Sequence, residues 1–259
     1  MKGKENRLAR ILNPVTKRSL IVAIDHGMAL GPMTGIENPA GVFDLLDPYT
    51  DAWLMTKGIF THVYKPNGQT GIILRASGGA TIVGPDITKE SITASVEELL
   101  SLSADGVACS AFIGSPNEHS TLSAMSLVAD SCRKWGIPLV AVIGIGHDKE
   151  KSQDARFLAL CARVAAEHGA DIVKIYYTPV DFDKVIKGCP VPIAIAGGPK
   201  CETDADTLKM INGALQDGAC GVVMGRNIWQ SKHPVPLIKA VRALIHENLP
   251  LKEAIDMLD

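Results

Sequence analysis

Short apolar segments recur eight times along the chain, and this repetition constrains the fold more than any other feature. They occupy residues 20–25, 52–56, 71–76, 106–114, 138–144, 171–176, 191–197 and 220–225. Amphipathic segments typical of helices lie between most of them, at residues 91–101, 118–135, 149–168, 204–216 and 236–246. Eight short apolar strands that alternate with helices predict an α/β fold, a (β/α)8 TIM barrel, which usually needs about 250 residues.

We expect one barrel domain over residues 1–259, with a short N-terminal extension before the first strand. The alternative is a doubly wound open sheet, which rarely needs eight such even units. The first two crossovers are irregular, because Pro39-Ala40-Gly41 begins only a short helix and residues 57–68 resemble a loop in part.

Composition excludes several classes of protein. A formal net charge of −2 gives no basic surface for a nucleic acid. No apolar run approaches the roughly 20 residues of a membrane-spanning helix, and no apolar stretch follows the first charges as in a secretory signal. We therefore expect a cytoplasmic protein. The six cysteines form no C-x-x-C pair and are expected to be reduced thiols rather than disulfides or zinc ligands.

Polar residues and glycines collect where the predicted strands end. The segments are Asp25-His26-Gly27, Arg75-Ala76-Ser77-Gly78-Gly79, Gly144-Ile145-Gly146-His147-Asp148, Gly197-Gly198-Pro199-Lys200 and Gly225-Arg226-Asn227. Active sites of TIM barrels are built at the carboxyl ends of the strands. The sequence therefore predicts an active site at this end of the barrel.

Lys174 lies within an otherwise apolar strand, where a charged ammonium group is costly. The alternation of side chains places Lys174 on the same face as Ile172 and Tyr176, and we expect this face and Asp25 to point into the barrel. A buried amine with a lowered pKa is a nucleophile that forms a Schiff base with a carbonyl, and an inward carboxylate can move the protons. The alternative is a structural Asp25–Lys174 ion pair.

Two glycine-rich segments predict a phosphate site. Gly197 and Gly198 follow the seventh strand, and Gly225 and Arg226 follow the eighth, where many barrels bind phosphate through backbone N–H groups. Arg75, with Ser77 beside it, either makes a second anion contact or pairs within the barrel mouth.

Three histidines, His26, His119 and His147, follow the first, fourth and fifth strands. They could bind zinc in a metal-dependent lyase, but their spacing matches no compact ligand motif. We predict no metal and treat each histidine as a hydrogen-bonding or acid-base group. His26 and His147 are candidate catalytic residues, and His119 is a candidate substrate-binding residue.

The chain resembles the archaeal-type class I fructose-bisphosphate aldolases and their relatives over nearly its whole length. The shared motifs are Asp25-His26-Gly27, Val173-Lys174-Ile175-Tyr176-Tyr177, Ala196-Gly197-Gly198-Pro199-Lys200 and Gly225-Arg226-Asn227. This resemblance implies a Schiff-base lysine at Lys174, an acid-base aspartate at Asp25 and phosphate binding by the loops at Gly198 and Arg226. Arg75, Ser77 and Tyr176 are further candidates for substrate binding.

One segment departs from the aldolase pattern. The aldolases carry a proton-donating tyrosine in a Tyr-Pro-Arg-Gly segment after the fifth strand, whereas this chain has Val142-Ile143-Gly144-Ile145-Gly146-His147-Asp148. This segment resembles the thiolase branch, whose members cleave 3-hydroxy-5-phosphonooxypentane-2,4-dione in autoinducer-2 breakdown. The resemblance implies coenzyme A as a co-substrate, with room for its pantetheine arm beside Gly144 and Gly146, and no permanently bound cofactor.

Two alternatives remain open. One is an aldolase of the same family with another proton donor, for example His147, and the other is a non-catalytic phosphosugar-binding protein. The expected partner is a phosphorylated small molecule rather than a nucleic acid or a membrane. Because family members form pentamers or decamers, the resemblance also implies a homo-oligomer.

Overall fold

A computed structural model describes residues 2–146 and 150–258 of the chain. Eight parallel strands close into a barrel in the order β1-β10-β9-β8-β7-β6-β3-β2, and β4 and β5 form a separate antiparallel hairpin. The strands are β1 (Ser19–Ala23), β2 (Ala52–Met55), β3 (Gly71–Arg75), β4 (Ser77–Gly78), β5 (Ser91–Ile92), β6 (Gly106–Ile113), β7 (Leu139–Ile145), β8 (Ile172–Tyr176), β9 (Ile193–Ala196) and β10 (Gly221–Met224). The predicted TIM barrel and all eight predicted barrel strands are confirmed.

Helices cover the outside of the barrel. They are α1 (Lys2–Ile11), α2 (Gly27–Leu30), α3 (Pro39–Leu46), α4 (Lys57–His62), α5 (Val96–Ser101), α6 (Glu118–Trp135), α7 (Ala155–Glu167), α8 (Phe182–Gly188), α9 (Asp204–Gln216), α10 (Arg226–Trp229), α11 (Pro234–His246) and α12 (Leu251–Asp256). Short 3-10 helices lie at Asp47–Tyr49 and Glu150–Gln153. Among the described residues, no helix combines the length and apolar character needed to cross a membrane.

Side chains alternate between the inside of the barrel and the layer under the helices. Ile21 and Ile172 belong to a small cluster inside the barrel. Leu20, Val173 and Ile175 pack in the larger cluster beneath the helices. The predicted division of β1 and β8 into inner and outer faces is therefore confirmed.

Polar caps explain where several helices begin. The hydroxyls of Thr56, Ser95 and Thr203 accept backbone N–H groups at the starts of α4, α5 and α9. Asp154 accepts the N–H of Arg156 at the start of α7, which therefore begins later than the predicted residue 149. Each cap satisfies a backbone donor that has no partner within its helix.

The predicted helix at residues 91–101 is wrong in its first part. Ser91 and Ile92 pair with Ser77 and Gly78 as an antiparallel hairpin, and the helix begins only at Val96. The backbone N–H of Thr93 also bonds to the carbonyl of Ala76, so the chain stays extended up to the cap. This hairpin places residues 79–90 over the mouth of the barrel.

The amino-terminal end of the barrel is closed by α1 and sealed by aspartates. Ile11 is fully buried and packs with the inner cluster. Asp105, just before β6, accepts the N–H of Ile72 at 3.0 Å and pairs with Arg10 of α1 at 2.7 Å.

Two further aspartates repeat this arrangement. Asp171 accepts the N–H of Leu139 at 2.9 Å and pairs with Lys4 of α1 at 2.5 Å. Asp51 accepts the N–H of Leu20 at 2.7 Å and also contacts Arg242 and His246 of α11. Each aspartate thus joins two neighbouring strands, and a cation balances its charge.

Candidate active site

Lys174 points into the barrel from the middle of β8. Its side chain is only partly accessible, and it lines a cavity of about 250 Å3 at the carboxyl ends of the strands. No described carboxylate lies within salt-bridge distance of its Nζ. Burial lowers the pKa of Lys174; the Asp25 carboxylate opposes this effect, and Arg75 and Arg226 add to it. The amine is therefore shifted toward its neutral, nucleophilic form.

Asp25 faces Lys174 from the end of β1 and is 7% exposed. Its Oδ2 accepts a hydrogen bond from Arg75 Nη1 at 3.1 Å. Burial alone would raise the pKa of the carboxyl group, but Arg75, Lys174 and His26 outweigh burial and hold the pKa below its ordinary value. Asp25 is therefore a carboxylate near neutral pH, which is the form that accepts a proton.

Arg75 is the most densely bonded side chain of the mouth. Its Nη1 donates to Asp25. Its Nη2 donates to both carboxylate oxygens of Glu90, at 3.0 and 3.2 Å, and to Ser110 Oγ at 2.5 Å. Its Nε and Nη2 also donate to the carbonyl and hydroxyl oxygens of Ser77. The guanidinium is 5% exposed and lies between two carboxylates. Of the two expected roles, the structure favours pairing within the mouth.

His26 lies beside Asp25 and packs edge-on against Trp229. Its Nδ1 is buried, lies 3.5 Å from Asp25 Oδ1 and makes no hydrogen bond with a described residue. Burial lowers the pKa of His26, and Asp25 only partly opposes this effect, so the ring is neutral at pH 7. Gly225 leaves the space for this ring, because a Cβ there would lie 2.5 Å from His26 Cε1 and 2.6 Å from the carbonyl oxygen of Ala23.

The loops after β9 and β10 meet beside the cavity. Arg226 Nη2 donates to the carbonyl of Gly198 at 2.8 Å, and the buried Asn227 donates to the carbonyl of Gly197 at 2.7 Å. Arg226 Nε is buried and has no hydrogen-bond partner among the described residues. Gly198 has a φ of +64°, a conformation that favours glycine. Arg226 also lines the cavity, so the part of its guanidinium that is not buried can contact an anion there.

Tyr176 and Ser77, two predicted substrate-binding residues, differ in their position relative to the cavity. Tyr176 lines it, and its ring lies beside Gly198. Ser77 is buried under the cavity, where it bonds to Arg75 and Glu90. Tyr176 can therefore contact a bound molecule directly, whereas Ser77 acts on the positions of its neighbours.

Comparison with known proteins identifies the family. Residues 19–231 match the model of the DeoC/LacD family aldolases. The chain belongs to the DeoC/LacD aldolase family. The chain is similar to the 3-hydroxy-5-phosphonooxypentane-2,4-dione thiolases of Enterobacter sp. strain 638, 41% identical over 97% of this chain and 84% of that protein, and of Photorhabdus laumondii, 39% identical over 98% of this chain and 86% of that protein.

Solved structures of aldolases are also similar. An archaeal fructose 1,6-bisphosphate aldolase is 29% identical, covers 94% of this chain and 99% of its own, and gives a TM-score of 0.84. A Schiff-base-forming fructose-1,6-bisphosphate aldolase, studied for its reaction intermediates, is 30% identical over 94% of this chain and 100% of its own, also with a TM-score of 0.84. The protein is thus an enzyme of the class I aldolase family.

Of the two remaining candidate histidines, the structure describes one. His119 lies exposed in the first turn of α6 and does not line the cavity. Its neighbour Glu118 accepts the N–H of Gly114. A contact between His119 and substrate therefore stays a prediction. His147 lies outside the described residues. No described cluster of His, Cys, Asp or Glu side chains is arranged to hold a metal ion.

Gly144 and Gly146 pack closely against β6 on one side. A Cβ at Gly144 would lie 2.4 Å from the ring of Phe112, and one at Gly146 would lie 2.7 Å from the carbonyl oxygen of Gly114. On their open side, Gly144 lines the cavity of Lys174, and Gly146 lines a neighbouring cavity of about 390 Å3. The expectation of room for a pantetheine arm beside these glycines stays a prediction.

Glu90 and Ser110 are site residues that the sequence analysis missed. Both contact Arg75 and line the cavity. Glu90 was not predicted because it directly precedes β5, the hairpin strand that was expected to be the start of a helix. Ser110 alternates with apolar residues in β6, and its inward position follows from the strand period alone.

Proposed function

We propose that this enzyme is a coenzyme A-dependent thiolase that forms an imine between Lys174 and a phosphorylated diketone. The observation that carries the proposal is a buried amine without an ion-pair partner, in the same cavity as a carboxylate and an anion-binding loop. The names of the 39–41% identical relatives support 3-hydroxy-5-phosphonooxypentane-2,4-dione as the substrate.

In the proposed reaction, Lys174 adds to the ketone carbon next to the phosphate-bearing carbon, and loss of water gives an imine. The thiol of coenzyme A loses its proton and adds to the other carbonyl. The bond between that carbon and the hydroxyl-bearing carbon then breaks, and the protonated imine accepts the electron pair as an enamine. The products are acetyl-CoA and, after hydrolysis of the imine, dihydroxyacetone phosphate.

Asp25 is the proposed proton carrier. As a carboxylate it can accept a proton during formation of the imine or from the thiol, and as a carboxylic acid it can return one to the enamine carbon. Arg226 and the backbone near Gly198 hold the phosphate at the far end of the substrate. His26, which is neutral and lines the cavity, is proposed to hydrogen-bond to a substrate oxygen through its Nε2.

The charges at the cavity favour a substrate with one phosphate. Arg226 carries the guanidinium with a free donor, whereas Arg75 already lies between the carboxylates of Asp25 and Glu90. A second phosphate near Arg75 would have to compete with both carboxylates. This arrangement supports the diketone monophosphate over fructose 1,6-bisphosphate.

Class I aldolase activity is the second candidate, because the solved aldolases are 29–30% identical over most of this chain. The absence of the Tyr-Pro-Arg-Gly segment favours the thiolase. The two activities differ in one observable respect: an aldolase releases dihydroxyacetone phosphate without a thiol.

The deciding experiment supplies each ketone phosphate with and without coenzyme A and measures dihydroxyacetone phosphate and thioester. We expect equal amounts of both products from the diketone, and only when coenzyme A is present. Cleavage of fructose 1,6-bisphosphate without coenzyme A, together with no thioester from the diketone, would replace the thiolase by an aldolase. Lys174→Met is the control for reactions that do not pass through the imine.

The same proposal extends to the assembly and the compartment. A pentameric or decameric ring is proposed from the family resemblance, and light scattering on the purified enzyme measures its mass. Coenzyme A is proposed as a co-substrate that leaves after each turnover, with no cofactor permanently bound. A cytoplasmic location is part of this proposal, and cell fractionation tests it.

A further inference from the structure

Glu90 comes from the hairpin loop that covers the mouth, immediately before β5. Its side chain is 9% exposed, and its carboxylate accepts Arg75 Nη2 at 3.0 and 3.2 Å and Ser77 Oγ at 2.7 Å. It has no direct bond to Asp25 or Lys174 among the described residues. Any effect of Glu90 on the reacting groups must therefore pass through Arg75 or through its charge.

Arg75 can link the position of Glu90 to that of Asp25 because a guanidinium is planar and rigid. Glu90, Ser77 and Ser110 hold the Nη2 and Nε side of the group. Nη1 is then fixed in direction, and it donates to Asp25 Oδ2 at 3.1 Å. Loss of a partner on one side frees the guanidinium to turn, and the direction of the Nη1 bond to Asp25 is then no longer fixed.

We propose that Glu90 is a positioning residue that acts through Arg75 to orient the Asp25 carboxylate toward Lys174. This inference rests on the proposed imine chemistry of Lys174 and Asp25. It assigns the loop between β4 and β5 a role in the reaction, in addition to covering the cavity.

The charges around Asp25 determine the expected direction of a pH effect. Arg75 on β3, Lys174 on β8 and His26 before α2 face Asp25, and Arg226 on α10 also faces Lys174. Removal of the negative charge of Glu90 leaves this set more positive. A more positive surrounding lowers the pKa of both Asp25 and Lys174. The acid limb of the pH–activity profile, at which activity falls as pH decreases, therefore moves to lower pH. This direction is the same whether the limb reflects titration of Asp25 or of Lys174.

The test compares Glu90→Gln with wild type in the coenzyme A-dependent reaction over a range of pH. The amide oxygen can still accept the Ser77 hydroxyl, so the change removes mainly the charge. We expect kcat to fall about tenfold with KM changed by less than about twofold, because binding is retained while proton transfer is weakened. We also expect the acid limb to move down by about one pH unit.

Two further variants separate this role from a structural one. Asp86→Asn removes a negative charge from the same hairpin, where Asp86 accepts hydrogen bonds from Thr88 and Asn117. Among the described residues, the side-chain bonds of Arg75 go to Asp25, Ser77, Glu90 and Ser110. We expect it to leave the acid limb in place. Glu90→Asp keeps the charge and should hold the limb within about 0.3 unit of wild type while lowering kcat.

An unchanged acid limb in Glu90→Gln, or an equal shift in Asp86→Asn or Glu90→Asp, would overturn the inference. Borohydride trapping on wild-type Lys174 is run beside these assays. No adduct with wild type means that the proposed function has failed. A wild-type adduct with no Glu90 effect means that only the positioning role has failed.

Discussion

The two ends of the barrel differ in whether their charged side chains all have partners. At the amino-terminal end, Asp51, Asp105 and Asp171 each receive a strand N–H and a cation. At the carboxyl end, Lys174 has no ion-pair partner and Arg226 Nε has no hydrogen bond within the described structure. The aspartates named at the amino-terminal end are all paired. The carboxyl end contains the paired Arg75 as well, but it also contains the Lys174 amine, which lines the cavity and can react with a substrate carbonyl.

This difference separates residues that stabilise the fold from residues that react. A buried polar group without a partner costs stability, and such costs concentrate at functional sites. We therefore expect substitutions at the mouth to reduce activity with little loss of stability, and substitutions at the base to have the reverse effect.

Replacement of Lys174 by methionine is expected to have the largest effect. Without the amine no imine forms, so turnover should fall at least about a thousandfold. The free energy of unfolding should rise by about 1 kcal/mol, because an apolar side chain replaces a buried amine. Turnover assays and urea unfolding measure the two effects. A strongly destabilised Lys174→Met variant would show that the lysine holds the fold together.

Asp105→Ala tests the opposite end. The Ile72 N–H and the Arg10 guanidinium both lose their acceptor, and the expected loss is about 2–4 kcal/mol of unfolding free energy. Turnover of the remaining folded enzyme should change by less than about twofold. Asp130→Ala, in an exposed pair with Arg133, is the matched control and should cost less than about 1 kcal/mol.

Arg226→Gln sharpens the comparison within the mouth. Loss of the guanidinium should raise KM for the phosphorylated diketone about tenfold to a hundredfold, which is the usual range for a charge-assisted contact with phosphate. Binding of the same diketone without its phosphate should not change. An equal loss of affinity for both compounds would assign Arg226 to the shape of the loop instead of the phosphate.

Asp51 gives the smallest effect, in the pH dependence of stability. Burial opposes ionisation of Asp51, but bonds from His246, Leu20 and Arg242 outweigh it and hold the pKa below its ordinary value. The resulting stabilisation is present above the unfolded-state pKa of about 3.9 and is lost as pH falls through the lower folded-state value.

Asp51→Asn should therefore reduce the slope of unfolding free energy against pH in the acid range. The reduction cannot exceed about 1.4 kcal/mol per pH unit, which is the contribution of one proton. Chemical unfolding between pH 2.5 and pH 6 measures the slope. A variant with the wild-type slope would show that other carboxylates dominate acid unfolding.

The strand pattern predicted the barrel because each strand is apolar on both faces and bounded by polar turns. The same alternation placed Asp25 and Lys174 inside, because the strand period fixes the side from the sequence alone. A pattern was also present at the base: aspartates stand directly before the strands that begin at Ala52, Gly106 and Ile172. These aspartates were not predicted to pair with the neighbouring strands.

Contacts across the mouth could not be predicted in the same way. Arg75 and Glu90 are brought together by a hairpin whose two-residue strands are too short to show a period. His119 was predicted to lie near the site because it follows a strand. The direction in which a helix side chain points, however, depends on where the helix begins. Trp229 contacts His26 from about 200 residues away, and no local pattern predicts that packing.

Pairing of β1 with β10 joins the first barrel strand to the last, and the indole of Trp229 crosses this junction to donate to the carbonyl of Ala23 at 3.0 Å. Asp25 lies on one side of the junction and Arg226 on the other. Contacts between such distant parts of a chain form slowly. During refolding, recovery of turnover should therefore lag behind recovery of helix content. The time at which enzymatic activity returns then reports when the barrel closes between its first and last strands.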